Sequence, residues 1–151
     1  MTEVAFHVGI EDRLDYACRL IRKALDSGAR VLVLADEDLI VPLDEALWIH
    51  EPTSFVPHAL AGSPQVQSGR CVVVLAHDVT DMAATFPVLI NMRRELPDVP
   101  SQCEKLIELV SDDEEELSLA RQRWKSYSQQ GYAPVKHEAR KRATTRPTNS
   151  G

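Results

Sequence analysis

The stretch Arg30-Val31-Leu32-Val33-Leu34-Ala35 decides the fold class of this chain. Its apolar run, residues 31–35, suits a strand that is covered on both faces, as in a sheet between two layers of helices. An amphipathic helix is predicted before it, over residues 12–27, because apolar side chains recur there on one face with a period of about 3.6 residues. A second helix is predicted after it, with a regular part over 42–49 that Pro42 either starts or kinks.

Four further apolar stretches predict the other strands of the same sheet. They are residues 4–8, 71–75, 86–91 and 105–110. Strands that alternate with helices indicate an α/β fold with a mainly parallel sheet of about five strands, in which short edge strands are free to run antiparallel. A final helix is predicted from Ser111-Asp112-Asp113-Glu114, which matches a capping box with Ser111 as the cap, to about Gln130.

Length and charge limit the organisation of the chain. A length of 151 residues favours one domain, placed at residues 1–132. Residues 133–151 are expected to form a basic, disordered tail because few apolar residues remain there. The net charge is −6, of which residues 136–151 contribute +4 and the rest −10. Such an acidic body argues against a clamp on duplex DNA, which needs many lysine and arginine contacts to phosphates.

Two kinds of signal are missing from the sequence. The six glycines form neither G-x-G-x-x-G nor G-x-x-x-x-G-K-[ST], so the α/β domain is expected to carry no nucleotide-binding fingerprint and no cofactor. The N-terminus has no secretory pattern, and no stretch approaches the ~20 apolar residues of a membrane span. We therefore expect a cytoplasmic protein with no membrane partner.

Acidic side chains that follow two of the predicted strands are the best candidates for catalysis. Asp36 and Asp38 come after one strand and Asp78 after another, and open α/β sheets bind ligands at the carboxyl ends of their strands. Grouped carboxylates there suit Mg²⁺, with His77 as a base, so a magnesium-dependent hydrolase is one hypothesis. The alternative, which needs no further assumption, is that Asp36 or Asp38 caps the following helix.

One stretch suggests a binding surface between the second helix and the following loop. It places Trp48 near Phe55 and Pro57 in sequence, and aromatic anchors in a loop context are typical of interface hot spots. The alternative is that Trp48 and Phe55 pack in the core.

A second candidate surface lies on the final helix. Arg121 and Lys125 are four residues apart and share a face with Trp124. Neither cation has a carboxylate four residues before it, so this basic and aromatic face suits an acidic peptide or a terminal carboxylate. The alternative is a solvated helix whose basic end complements the helix dipole.

These stretches resemble the chi subunit of the bacterial DNA polymerase III holoenzyme, over roughly residues 3–132. The matching motifs are L-D-E-A-L-W at 43–48, S-F-V-P-H-A-L-A-G at 54–62, P-V-L-I-N at 87–91 and A-R-Q-R-W-K-S-Y-S-Q-Q-G at 120–131. The S-F-V-P-H stretch is specific because no general structural reason makes it recur. The chain departs from the family pattern at Pro42, at Trp124, where Tyr is frequent, and in its basic tail.

The resemblance implies a Rossmann-like three-layer domain that acts as a non-catalytic adaptor in the clamp-loader assembly during DNA replication. It implies one face for the psi subunit, to which Trp48, Phe55 and Pro57 would belong by position. It implies another for the acidic C-terminal tail of the single-stranded-DNA-binding protein, formed by Val110, Arg121, Trp124 and Lys125. Arg121 would pair with the tail's carboxylates, while Val110 and Trp124 would hold its apolar end residue. DNA is then reached only indirectly, and use of the psi surface by a helicase is left open.

Overall fold

The computed structural model describes residues 2–28, 30–50, 58–60, 73–76, 86–97 and 103–139, without the side chains of residues 25, 48–50 and 58–60. Its helices are α1 (Arg13–Asp26), α2 (Glu37–His50) and α3 (Glu114–Gln129). Its strands are β1 (Glu3–Ile10), β2 (Val31–Leu34), β3 (His58–Leu60), β4 (Val73–Ala76), β5 (Val88–Asn91), β6 (Lys105–Ser111) and β7 (Val135–Glu138). No helix in these ranges is long and apolar enough to cross a membrane.

The strands form one parallel sheet in the order β3-β4-β2-β5-β6-β1-β7. All four residues of β2 are buried, as the apolar run predicted. The α/β class and the parallel sheet are thus confirmed. The expectation of about five strands is too low, because β3 and β7 add an edge strand on each side. Both edge strands run parallel to their neighbours, so antiparallel edges are absent from the described part of the sheet.

Helices cover both faces of the sheet and divide its core into two clusters. On one face, Ile21 of α1 and Leu43 of α2 pack into the same cluster as Val33. On the other face, Tyr127 of α3 packs into a cluster with Leu34. Alternate side chains of β2 therefore enter opposite clusters, and full burial of one such side chain contributes about 1.5–3 kcal/mol. This is the three-layer arrangement that the resemblance implied.

Helix α2 is longer than the regular stretch predicted over 42–49. It begins at Glu37 and contains Pro42 in its interior. Proline has no backbone N–H, so the carbonyl of Asp38, four residues earlier, has no helical donor at that position. Leu43 is completely buried directly after the proline, and this packing stabilises a helix whose local sequence disfavours it.

The cap of α3 differs from the predicted capping box. Ser111 is still part of β6, so it cannot begin the helix. Asp113 is the cap instead, and its carboxylate accepts a hydrogen bond from the backbone N–H of Glu116 at 3.1 Å. The Ser111 hydroxyl donates to the Glu116 carboxylate at 2.7 Å. Asp is as effective a cap as Ser, so the helix begins two residues further along the chain. The Asp113 backbone N–H donates to the Ser111 hydroxyl at 3.3 Å rather than to Glu116, so the reciprocal bond of a capping box is replaced by a contact with Ser111.

Strand β7 extends the sheet beyond the predicted domain boundary at residue 132. It pairs with β1 from Ala5 to Val8, although all four of its side chains are exposed. Residues 135–138 therefore form a strand where disorder was expected from residue 133 onward. Backbone hydrogen bonds to an open sheet edge can order a segment without burying its side chains. Residues 140–151 lie outside the described residues, so their disorder stays a prediction.

Candidate functional site

A groove of about 380 Å³ lies between α3 and the edge of the sheet formed by β1 and β7. The described residues that line it are Phe6, Val8, Leu117, Ala120, Arg121, Trp124 and Lys136. Side chains alternate between the two faces of the sheet along β1, so Phe6 and Val8 both lie on the face that α3 covers. This lining is apolar apart from Arg121 and Lys136, and no carboxylate is part of it. We call it the α3 groove.

Trp124 and Arg121 form the helical side of the α3 groove. The half-buried Trp124 ring lies 5.0 Å from the Phe6 ring, tilted by 48°, and packs against the core cluster of this face. Arg121, three residues earlier, is exposed. Within the described ranges, the side chain of Arg121 makes no hydrogen bond or ion pair. Its guanidinium therefore keeps all of its donors available beside an apolar surface.

The four residues that the resemblance placed in a tail-binding site occupy three different positions. Arg121 and Trp124 line the α3 groove together. Val110 is only 1% exposed and belongs to the core cluster against which Trp124 packs, so it lies beneath the surface. Lys125 is exposed but is not among the described residues that line the groove. Spacing along a helix thus grouped Lys125 with Arg121, whereas the groove separates them.

Lys136 is the charged residue among the described groove residues that sequence reasoning missed, along with the apolar ones other than Trp124. It lies opposite Phe6 in the register of β1 and β7, and therefore on the face of the sheet that α3 covers. Its Nζ atom is 3.1 Å from Oε2 of Glu138. The local sequence contains no signal for this position, because it depends on which strand β7 joins.

A buried polar network fixes α3 on the sheet. Glu108 of β6 is completely buried. Its Oε1 accepts a hydrogen bond from Arg123 Nε at 3.0 Å, and its Oε2 accepts one from the Tyr127 hydroxyl at 2.7 Å. The Asn91 amide lies 2.9 Å and 3.0 Å from the two oxygens, and Arg123 Nη1 donates to the carbonyl of Arg94 at 2.8 Å. A carboxylate with this many donors is tolerated in a core.

Two groups of this network, Glu108 and Tyr127, have shifted pKa values. Burial raises the pKa of the Glu108 carboxyl, while the charge of Arg123 and the hydrogen bonds from Tyr127 and Asn91 act in the opposite direction. Burial, followed by the charge of Glu108, raises the pKa of the Tyr127 hydroxyl, which therefore remains a donor. Sequence reasoning also missed this network. Its signal was a single acidic residue within the apolar strand Lys105–Ser111.

The residues that the resemblance assigned to a psi-binding face fall outside the described part of the chain. Trp48 lies in α2, but its side chain is not described. Phe55 and Pro57 lie in the undescribed range 51–57. Their expected role stays a prediction.

The carboxylates of the hydrolase hypothesis are described only in part. Asp36 immediately precedes α2, and its carbonyl accepts the N–H of Leu39 at 2.8 Å, while Asp38 lies in the first turn. These are positions at which acidic residues favour a helix N-terminus. Asp78 lies outside the described residues. Where the structure describes the chain, no three histidine, cysteine or acidic side chains come together as metal ligands.

Comparison with known proteins gives consistent matches. The family model "DNA polymerase III chi subunit, HolC" matches residues 1–135. The DNA polymerase III subunit chi of Escherichia coli is 32% identical over 116 residues, which cover 76% of this chain and 78% of that protein. The corresponding subunit of Haemophilus influenzae is 29% identical over 78% of this chain and 81% of its own length. That of Pseudomonas aeruginosa is 32% identical over 91% and 96%, respectively.

Proposed function

The chain belongs to the DNA polymerase III chi subunit family, and on this basis we propose that it is a non-catalytic adaptor of the clamp-loader complex. It bridges the psi subunit and the acidic C-terminal tail of the single-stranded-DNA-binding protein during DNA replication in the cytoplasm. It reaches DNA through that second protein rather than through phosphate contacts of its own, which agrees with its net charge of −6.

The chemistry of the α3 groove is the observation that carries this proposal. An acidic peptide with an apolar end residue needs an apolar surface for that side chain and cations for its carboxylates. Phe6, Leu117 and Trp124 provide the first, and Arg121 provides a planar guanidinium able to bind a carboxylate through two parallel hydrogen bonds. The lack of a lining carboxylate among the described residues removes competition for Arg121. Val110 supports this surface from beneath, and Lys125 adds positive charge near it.

The psi-binding face of the proposal is carried by the resemblance alone. Trp48 belongs to the motif L-D-E-A-L-W, which lies in the second half of α2. Phe55 and Pro57 belong to the motif S-F-V-P-H, which follows this helix in the sequence. Aromatic residues in such a segment are suited to anchor a partner. A helicase is a second candidate partner for the same face.

Two single substitutions separate the two faces. Arg121→Ala removes the guanidinium from the groove, so we expect it to weaken binding of a synthetic tail peptide by about 10- to 100-fold, the range for hydrogen bonds to charged groups. Phe55→Ala should leave peptide binding unchanged and weaken binding of purified psi subunit. Isothermal titration of both partners against both variants measures this.

The control variant is Lys23→Ala, which removes one exposed positive charge from α1 on the other face of the sheet. It should bind both partners as the parent protein does. Loss of both partners in either variant would contradict the assignment of two separate faces, and absence of peptide binding to the parent protein would contradict the proposed function itself.

A further inference from the structure

We propose that Lys136 of β7 is a second cation for the acidic tail, so that the α3 groove binds its ligand between a helix and the last strand of the sheet. This inference rests on the proposed function and extends it to a residue outside the motifs that carry the resemblance. It assigns a role to β7, whose four side chains are all exposed and contribute nothing to the core.

The register of the sheet positions Lys136. Phe6 lies opposite Lys136 across the β1–β7 pair, and the Phe6 ring contacts Trp124. Lys136 and Arg121 therefore line the same groove, yet one comes from a strand and the other from a helix. Cations on two different elements with an apolar surface between them suit a peptide that carries carboxylates on both sides of an apolar residue.

The present partner of Lys136 is one that a ligand can replace. Lys136 pairs with Glu138, its neighbour on the same face of β7, and the two side chains are 58% and 47% exposed. Exposed ion pairs of this kind contribute little, because both charges are well solvated. A ligand carboxylate that binds Lys136 therefore displaces a weak contact. Glu138, in turn, competes with the ligand for this lysine.

The structure separates Lys136 from Lys125, and this pair provides a matched test. Both lysines are exposed, and removing either changes the net charge by the same amount. Only Lys136 is among the described residues that line the groove. Spacing along the helix favours Lys125 as the ligand contact, whereas the geometry of the sheet favours Lys136.

The test is a fluorescence anisotropy titration of a labelled synthetic peptide with the tail sequence of the single-stranded-DNA-binding protein, performed on the full chain. We expect Lys136→Met, which keeps most of the aliphatic stem, to weaken binding by about three- to tenfold. Lys125→Met should weaken it by less than about twofold. Lys136→Arg should restore binding, since it returns the charge.

Glu138→Gln gives a second test whose expected result cannot arise from a folding defect. Removing the competing carboxylate should tighten peptide binding by about twofold, a gain that a loosened β7 cannot produce. Equal affinity of Lys136→Met and the parent protein, or an equal loss in Lys125→Met, would overturn this inference while leaving the proposed function intact. A parent protein that does not bind the peptide would overturn both.

Discussion

Arg121 and Arg123 lie two residues apart on α3 and have opposite environments. A helix rotates by about 200° over two residues, so the two side chains leave on different faces. Arg123 is 7% exposed and pairs with the buried Glu108, whereas Arg121 is exposed at the α3 groove. In the sequence both belong to one basic and aromatic cluster. The buried carboxylate on β6 decides which arginine holds the fold and which is available to a ligand.

The largest expected effect concerns the buried arginine. Arg123→Ala leaves Glu108 in the core without its charge partner, so we expect the free energy of unfolding to fall by about 3–5 kcal/mol. Arg121→Ala should change it by no more than about 0.5 kcal/mol, because no described contact is lost. Urea denaturation followed by circular dichroism measures both. Similar losses of unfolding free energy in the two variants would contradict the conclusion that only Arg123 stabilises the fold.

A smaller effect is expected on the pH dependence of the free energy of unfolding. It comes from a histidine on the other face of the sheet. His7 accepts or donates a hydrogen bond with Tyr16, and its ring lies 4.7 Å from that of His137. Burial, followed by the charges of His137, Lys105 and Lys23, lowers the pKa of His7 from 6.5 to about 4.

The sign of this effect follows from proton binding. Between pH 6.5 and about 4 the unfolded chain binds a proton at His7 that the folded chain does not. The free energy of unfolding should therefore decrease as the pH falls through this range. His7→Gln should make that decrease smaller, as measured by urea denaturation at pH 7.5 and pH 5. An unchanged pH dependence in the variant would show that His7 is not the group responsible.

Local patterns predicted the parts of the fold that depend on local physics. The apolar run 31–35 identified the buried inner strand β2, and the periodicity over 12–27 identified α1. Helix α1 ends at Asp26, one residue before the predicted end, and Gly28 adopts a positive φ of 87° just beyond it. Spacing grouped Arg121, Trp124 and Lys125 on one face of the helix, and the first two do line one groove.

The remaining features depend on contacts between distant segments. Lys136 enters the groove because β7 joins β1, about 130 residues away in sequence, a separation at which local patterns carry no information. Glu108 meets Arg123 and Tyr127 only once α3 packs on β6. Val110 was expected at a surface, yet it faces the cluster that Trp124 covers. In each case the sequence contains the residue type, and the pairing of elements determines what that residue does.

The most direct test of the account follows the side-chain Nε–Hε signals of the arginines by ¹⁵N nuclear magnetic resonance while the tail peptide is added. The Arg121 signal, identified by its loss in Arg121→Lys, is predicted to shift in proportion to the bound fraction. The Arg123 signal is predicted to stay in place, since its Nε–Hε group donates a hydrogen bond to the buried Glu108. A shift of Arg123 with Arg121 unmoved, or no shift of either while the peptide binds, would contradict the division of the two arginines between fold and ligand.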